Sequence, residues 1–201
     1  MNIGVFDLFK VGIGPSSSHT TGPMRSAGMF SDHLAAHGLV ETTTSVTVDL
    51  FGSLGATGRG HGTVGALVLG LGGARPETVD PETVGPTVDA VRTSGALLLA
   101  GLKSVPFDLD VDLRFRTDTR LAEHPNGMVF RATDGDGSVI AERTYFSVGG
   151  GFVLERGAAE PPGAGRSAIP FPFASADDLL AHAARTGRTI ALLTCLSLIH
   201  I

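Results

Sequence analysis

The 201-residue chain has one cysteine (Cys195), no tryptophan, one tyrosine and only two lysines, Lys10 and Lys103. Each scarcity removes a class of chemistry. One cysteine cannot build a disulfide framework, a cysteine-rich zinc site or an iron–sulfur cluster ligated by this chain alone. Enzymes that use pyridoxal phosphate work through a lysine Schiff base, and neither lysine sits in a recognisable setting for one. A net charge of −5 and an isoelectric point near 5.7 argue against nucleic acid and anionic membranes as partners. There is no G-x-x-x-x-G-K-[ST] pattern, which excludes a P-loop nucleotidase. The most apolar run, Ile190 to Ile201, is too short to cross a bilayer and is broken by Thr194, Cys195, Ser197 and His200. Met1 to Lys10 carries neither a basic stretch nor a long apolar one, so the expectation is a soluble, cytoplasmic protein.

What is abundant is apolar side chains and glycine. Hydrophobic residues make up 42% and charged residues 17%, with a mean hydropathy of +0.23, enough to bury a core. Glycine occupies 28 of 201 positions, about twice ordinary usage. Val5 to Val11 reads as a short strand or helical turn. Gly22-Pro23 opens a helical pattern to about Ala36, with proline suited to the first turn. Val46, Val48 and Leu50 alternate, predicting a half-buried strand over Ser45 to Phe51. Residues 52–62 read as a glycine-dense loop, followed by an apolar helix over Thr63 to Leu71. A weak helix is expected over Thr87 to Leu99, then a strand over Val105 to Phe115. Asp134-Gly135-Asp136-Gly137 marks a hairpin between Met128–Ala132 and Val139–Phe146. Ser175, with Asp178 three residues on, predicts a capped helix over Ala176 to Thr186, closed by Gly187. The apolar stretch beyond it reads as a truncated element or a short docked strand. Strands and helices do not alternate regularly, so the fold class expected is α+β, a mixed sheet with packed helices.

Chemistry-bearing residues concentrate in three loops. Ser16-Ser17-Ser18-His19-Thr20 places four hydroxyls and an imidazole before a helix start, a receptacle for a carboxylate or phosphate, although ordinary capping needs only one of those hydroxyls. Ser and His adjacent in sequence rarely aim at each other, and no G-x-S-x-G elbow is present, which weighs against a hydrolase. The 52–62 segment lacks G-x-G-x-x-G, which weighs against a dinucleotide fold. His19, His61 and His124 each lie beside glycine, serine, proline or asparagine, where catalytic groups collect. His33 and His37, four apart, read as an exposed helix face. No local pattern identifies a metal site.

The run Val5 to Met24, with Gly52-Ser53-Leu54, Gly58-Arg59-Gly60-His61, His124-Pro125-Asn126-Gly127-Met128, Thr144 to Phe152 and Pro170 to Phe173, resembles the bacterial iron–sulfur L-serine dehydratases of the single-chain type. These landmarks occur in the family's order across most of the chain. The resemblance implies that residues 1–160 form the family's β domain, similar to the allosteric substrate-binding domain of phosphoglycerate dehydrogenases. Residues 161–201 would then be a linker and the start of a truncated connection to a missing α domain, with 194–201 departing from the family pattern. It implies conversion of L-serine to pyruvate and ammonia, with a 4Fe-4S cluster ligated on the missing domain, and a homodimer in the full-length enzyme. Mapped by motif, Ser16, Ser17, Ser18 and Thr20 are candidates for the substrate carboxylate. His61, His19 and His124 are candidates for proton transfer, His61 first, and Asn126 and Ser147 for orienting the substrate. Two other readings stand beside this one: a stand-alone serine or hydroxy-acid sensor without turnover, and a different small-molecule enzyme sharing the motifs.

Overall fold

The computed structural model describes residues 12–158, 171, 173 and 175–199. The expected element over Val5 to Val11 and residues Pro170, Pro172 and His200 lie outside them. Two compact units divide at Gly157/Ala158.

In the larger unit a five-residue π-helical turn, Ser17–Thr21, runs directly into α1 (Gly22–Ala36). Then come β1 (Ser45–Phe51), α2 (Gly52–Thr57), a 3-10 turn (Gly58–His61) and α3 (Thr63–Leu71). A second 3-10 turn (Pro81–Thr83) leads through α4 (Val84–Ser94) to β2 (Ala96–Leu99), β3 (Lys103–Pro106) and β4 (Leu113–Arg116). The unit closes with β5 (Gly127–Thr133), β6 (Val139–Gly149) and β7 (Phe152–Glu155). The main sheet has the order β4-β1-β5-β6-β7, parallel only between β4 and β1, while β2 and β3 form a separate hairpin. This is the α+β architecture expected.

Alternation along β1 sends Val46, Val48 and Leu50 into the core, where they meet Phe30 and Leu34 of α1 and Leu67 and Leu71 of α3. Phe130 of β5 stacks between Phe30 (centroids 5.4 Å apart) and Tyr145 of β6 (5.7 Å, edge-on). The intervening position Asp49 sits on another face, 5% exposed at its side chain, and accepts from Arg116 Nε at 2.8 Å and Arg131 Nη1 at 2.6 Å. Arg131 Nε continues to Glu142 at 2.6 Å, so one ionic chain crosses four adjacent strands.

Three expectations are corrected. Residues 52–61 are helical rather than a loop, because their glycines admit close packing. A Cβ on Gly52 (φ 56°) would lie 2.3 Å from Pro125 O, and one on Gly55 2.6 Å from Arg116 O. The helix expected to reach Leu99 stops at Ser94, where Gly95 adopts φ 65°, and Ala96–Leu99 is a strand. The strand expected over Val105 to Phe115 is two strands in different sheets. Between them Asp108 Oδ1 accepts from the N–H groups of Asp110 and Val111, and Val111 is 60% exposed. The hairpin over β5 and β6 forms as expected, with Asp134 capping its turn.

In the smaller unit, α5 (Ala176–Thr186) carries the full Ser175–Asp178 capping box and ends at Gly187 in the left-handed conformation. Ile190–Ile199 forms a helix, α6, not the short strand considered above. Phe171 packs edge-on against His182 and under the Arg188 guanidinium. Among the described residues no helix is long and apolar enough to cross a membrane.

Asp49→Asn keeps the shape of the side chain and removes the charge that holds two guanidiniums. It should lower the unfolding free energy by about 2 kcal/mol, measured as a shift of the urea midpoint at constant slope. A loss below about 0.5 kcal/mol, the level of an exposed pair, would show that the ionic chain contributes little.

Candidate functional site

The Ser16–Thr20 segment differs from a simple helix cap. Thr20 N–H and Thr21 N–H both reach Ser16 O (2.9 and 3.3 Å), and Gly22 N–H reaches Ser17 O. The Thr20, Thr21 and Gly22 amides are therefore used within the π turn rather than left for an anion. Ser16 Oγ accepts from His19 N–H at 3.1 Å. Ser18 Oγ lies 2.9 Å from His19 Nδ1. Ser and His adjacent in sequence do meet here, within the π turn. Ser17 is exposed.

The other ring nitrogen, His19 Nε2, meets Ser53 Oγ at 3.1 Å. Ser53 is the contact that residue-by-residue reading missed. It follows Gly52, whose left-handed backbone turns the chain out of β1, and its N–H donates to Pro125 O at 2.9 Å. The Gly52-Ser53-Leu54 landmark was the only signal of it.

Two buried threonines bind the turns together. Thr20 Oγ1 donates to His61 O at 2.7 Å, and Thr63 Oγ1 donates to His19 O at 2.5 Å. His19 and His61 rings consequently stand with centroids 5.1 Å apart. His61 Nδ1 lies 2.8 Å from Thr57 O. A carbonyl only accepts, so Nδ1 carries hydrogen and the neutral ring presents its lone pair at Nε2. His124 is the opposite: its Nδ1 accepts from Asn126 N–H at 3.0 Å, leaving the neutral ring's N–H at Nε2.

Asn126 Nδ2 donates to Ser147 O at 3.2 Å, and Ser147 N–H donates to Asn126 O at 3.0 Å. Yet Asn126 Oδ1 and Ser147 Oγ are buried without partners. Buried orphan polar atoms are uncommon and call for an explanation. The structure thus joins Ser16, Ser18, His19, Thr20 and His61 directly, and links the His124–Asn126 loop to them through Ser53. His33 lies in the last turn of α1 and His37 caps its C-terminal end, apart from this cluster. Their rings are 4.2 Å apart, and His33 is partly buried with Nε2 3.0 Å from Arg143. Among the described residues no three His, Cys, Asp or Glu side chains converge as a metal-ligand set.

Burial first, and then His61 nearby, hold His19 below the ordinary histidine range, against an opposing contribution from Ser53. The unfolded chain therefore takes up a proton at this position first as pH falls through about 6.5, so stability is lost on acidification and complete above it. NMR titration should give His19 a midpoint below 6.5; a midpoint above that value would refute the assignment. Thr63→Val, which keeps the shape and deletes the bond to His19 O, should cost about 1–3 kcal/mol. It should also change the His19 and His61 ring chemical shifts together.

The family described as "Serine dehydratase beta chain" matches residues 4–158. An L-serine dehydratase of Streptomyces coelicolor is 45% identical over 198 residues, 96% of this chain and 43% of that protein. L-serine dehydratase 2 of Escherichia coli is 42% identical over 190 residues, 94% of this chain and 41% of its own length. An L-serine dehydratase of Mycobacterium bovis is 45% identical over 181 residues, 90% of this chain and 39% of its own length. The chain spans about two fifths of the length of these curated relatives.

Proposed function

The chain belongs to the serine dehydratase beta chain family, and on that premise we propose that it forms the β portion of an L-serine ammonia-lyase. The reaction is L-serine to pyruvate and ammonia. Loss of the Cα proton and the β-hydroxyl yields 2-aminoacrylate and water; tautomerisation and hydrolysis then give the products. The observation that carries the reading is the pairing of His19 with His61, five ångströms apart in ring contact, with complementary tautomers at His61 and His124.

In this reading His61 Nε2 takes the Cα proton. Its Nδ1–H is held by Thr57 O, which fixes the ring and leaves the lone pair outward. His124 Nε2–H is the candidate donor toward the departing hydroxyl. His19, biased toward its neutral form by burial and held at both nitrogens by Ser18 and Ser53, orders the hydroxyls around it. Asn126 Oδ1 and Ser147 Oγ, the two orphans, orient the substrate. Of the carboxylate candidates, Ser16 and Thr20 already serve backbone groups and Ser18 holds His19 Nδ1, which leaves the exposed Ser17 the freer hydroxyl.

The implied 4Fe-4S cluster does not fit the described residues, which offer no converging ligand set, and the sequence has one cysteine. No step assigned to this chain runs through it. The ligands would come from the remaining length that the relatives possess, and the same length supplies the α domain as partner. A cytoplasmic setting and a homodimer complete the proposal.

The test joins this chain to the remaining length of the Streptomyces coelicolor relative, reconstitutes iron and sulfide anaerobically, and follows pyruvate from L-serine. The joined protein should turn over, and the chain alone should not. His61→Ala should lower kcat by about a hundredfold or more; an unchanged kcat sinks its role as base. Serine binding by the joined protein without pyruvate would favour the sensor reading instead.

A further inference from the structure

The turn from β6 to β7 contains three successive glycines, Gly149, Gly150 and Gly151, at φ 93°, 58° and 74°. Glycine takes these angles without strain, but it also has the most conformational freedom to lose, so neighbours must impose the shape. The β6–β7 ladder closes the turn with the Gly149–Phe152 pair, but its register shifts between Ser147 and Gly149. A side chain from α1 adds a second hold. Arg25 Nη1 donates to Gly151 O at 2.7 Å, and the same guanidinium pairs with Glu77 in the segment after α3. The arginine side chain is 26% exposed, so this charge-assisted bond is partly shielded from water.

The helix that carries Arg25 also packs against one of the orphaned atoms. Three residues earlier on α1, Gly22 approaches so closely that a Cβ there would stand 2.0 Å from Ser147 Oγ. Helix α1 thus meets this end of the sheet at two points, at Ser147 before the glycine turn and at Gly151 within it. The same helix continues backward into the π turn that carries His19. A single rigid element therefore sets the turn, the buried Ser147 hydroxyl and the His19 ring in one frame.

We infer that Arg25 is a positioning residue, which holds the Gly149–Gly151 turn in register with Ser147 and Asn126 so that substrate meets a preformed site. This rests on the proposal that those two residues orient L-serine. With the tether removed, the turn is held by the shifted ladder alone and samples more conformations, of which binding has to select one. The effect therefore falls on substrate affinity more than on the chemical step.

The experiment measures amide exchange over residues 149–152 in this chain, and KM and kcat in the joined protein, for Arg25→Ala and Arg25→Lys. Arg25→Ala should accelerate exchange there by about tenfold or more, the loss of one hydrogen bond from a charged donor. KM for L-serine should rise by a similar factor, with kcat within about threefold of wild type. Lysine, still able to donate to Gly151 O, should restore most of both. Unchanged exchange in Arg25→Ala overturns the inference, as does faster exchange with an unmoved KM in an active protein. Failure of the functional reading shows separately, as a wild-type joined protein that makes no pyruvate. The exchange measurement then still decides whether Arg25 holds the turn.

Discussion

The site depends on two crossed hydrogen bonds. Thr20, in the π turn, gives its hydroxyl proton to the backbone of His61; Thr63, just past the 3-10 turn, gives its own to the backbone of His19. Both threonines are almost wholly buried, so neither hydroxyl has water as an alternative partner. Losing such a bond costs the desolvation of the group left behind, about 1–3 kcal/mol, more than its net contribution when made. Threonine suits the task because its branched Cβ restricts χ1 and so aims the hydroxyl. Each bond lands on main chain rather than on a ring. The imidazoles are therefore placed by their backbones, and their nitrogens stay available for Ser18, Ser53 and Thr57.

What keeps the crossed pair in place is the sheet beneath it. β1 delivers Gly52 and Ser53, and α3, packed on α1, delivers Thr63. Thus the two turns hang from neighbouring elements whose relative position is set by Phe30, Leu34, Leu67 and Leu71. The strand register is set a second time by the ionic chain Arg116–Asp49–Arg131–Glu142, which uses the alternate positions of the same strands. A one-residue slip of β1 would move Asp49 into the apolar core and Leu50 out of it. Hydrophobic and ionic patterns therefore agree on one register, and that register places Ser53 against His19.

Much of this was legible in the sequence, for physical reasons that can be named. Val46, Val48 and Leu50 have one partner face, so their alternation reads directly as β1. The Ser175–Asp178 box and Gly187 satisfy helix ends locally, so α5 is bounded by its own residues. The failures lie where distant contacts decide. Glycine density at 52–61 signals loop by propensity, yet those glycines are there so that helix can lie against the backbone of Pro125 and Arg116. The alternation through Phe107, Leu109, Val111 and Leu113 continues across an Asp108-capped turn, because both sides of that turn bury apolar residues while Val111 does not. Ser53 is hidden from the sequence because a lone serine after a glycine carries no pattern of its own. The Ser18–His19 contact is equally hidden, because side chains adjacent in sequence rarely meet in ordinary helices and loops, whereas in this π turn they do.

The same geometry explains what the chain's scarce residues imply for the division of labour in the proposed enzyme. Removing a proton from serine Cα and a hydroxide from Cβ needs an acid, a base and an electron-withdrawing aid. In the proposed assignment this chain, with one cysteine and two lysines, supplies the first two through imidazoles whose neutral tautomers are set by Thr57 O and Asn126 N–H. Imidazoles exchange protons, but they do not themselves weaken the carbon–oxygen bond. A surface of this kind is best described as one wall of a site. The orphaned oxygens of Asn126 and Ser147, costly to leave unpaired in a finished interior, fit a wall whose complement, substrate or the further length that the relatives possess, arrives to satisfy them.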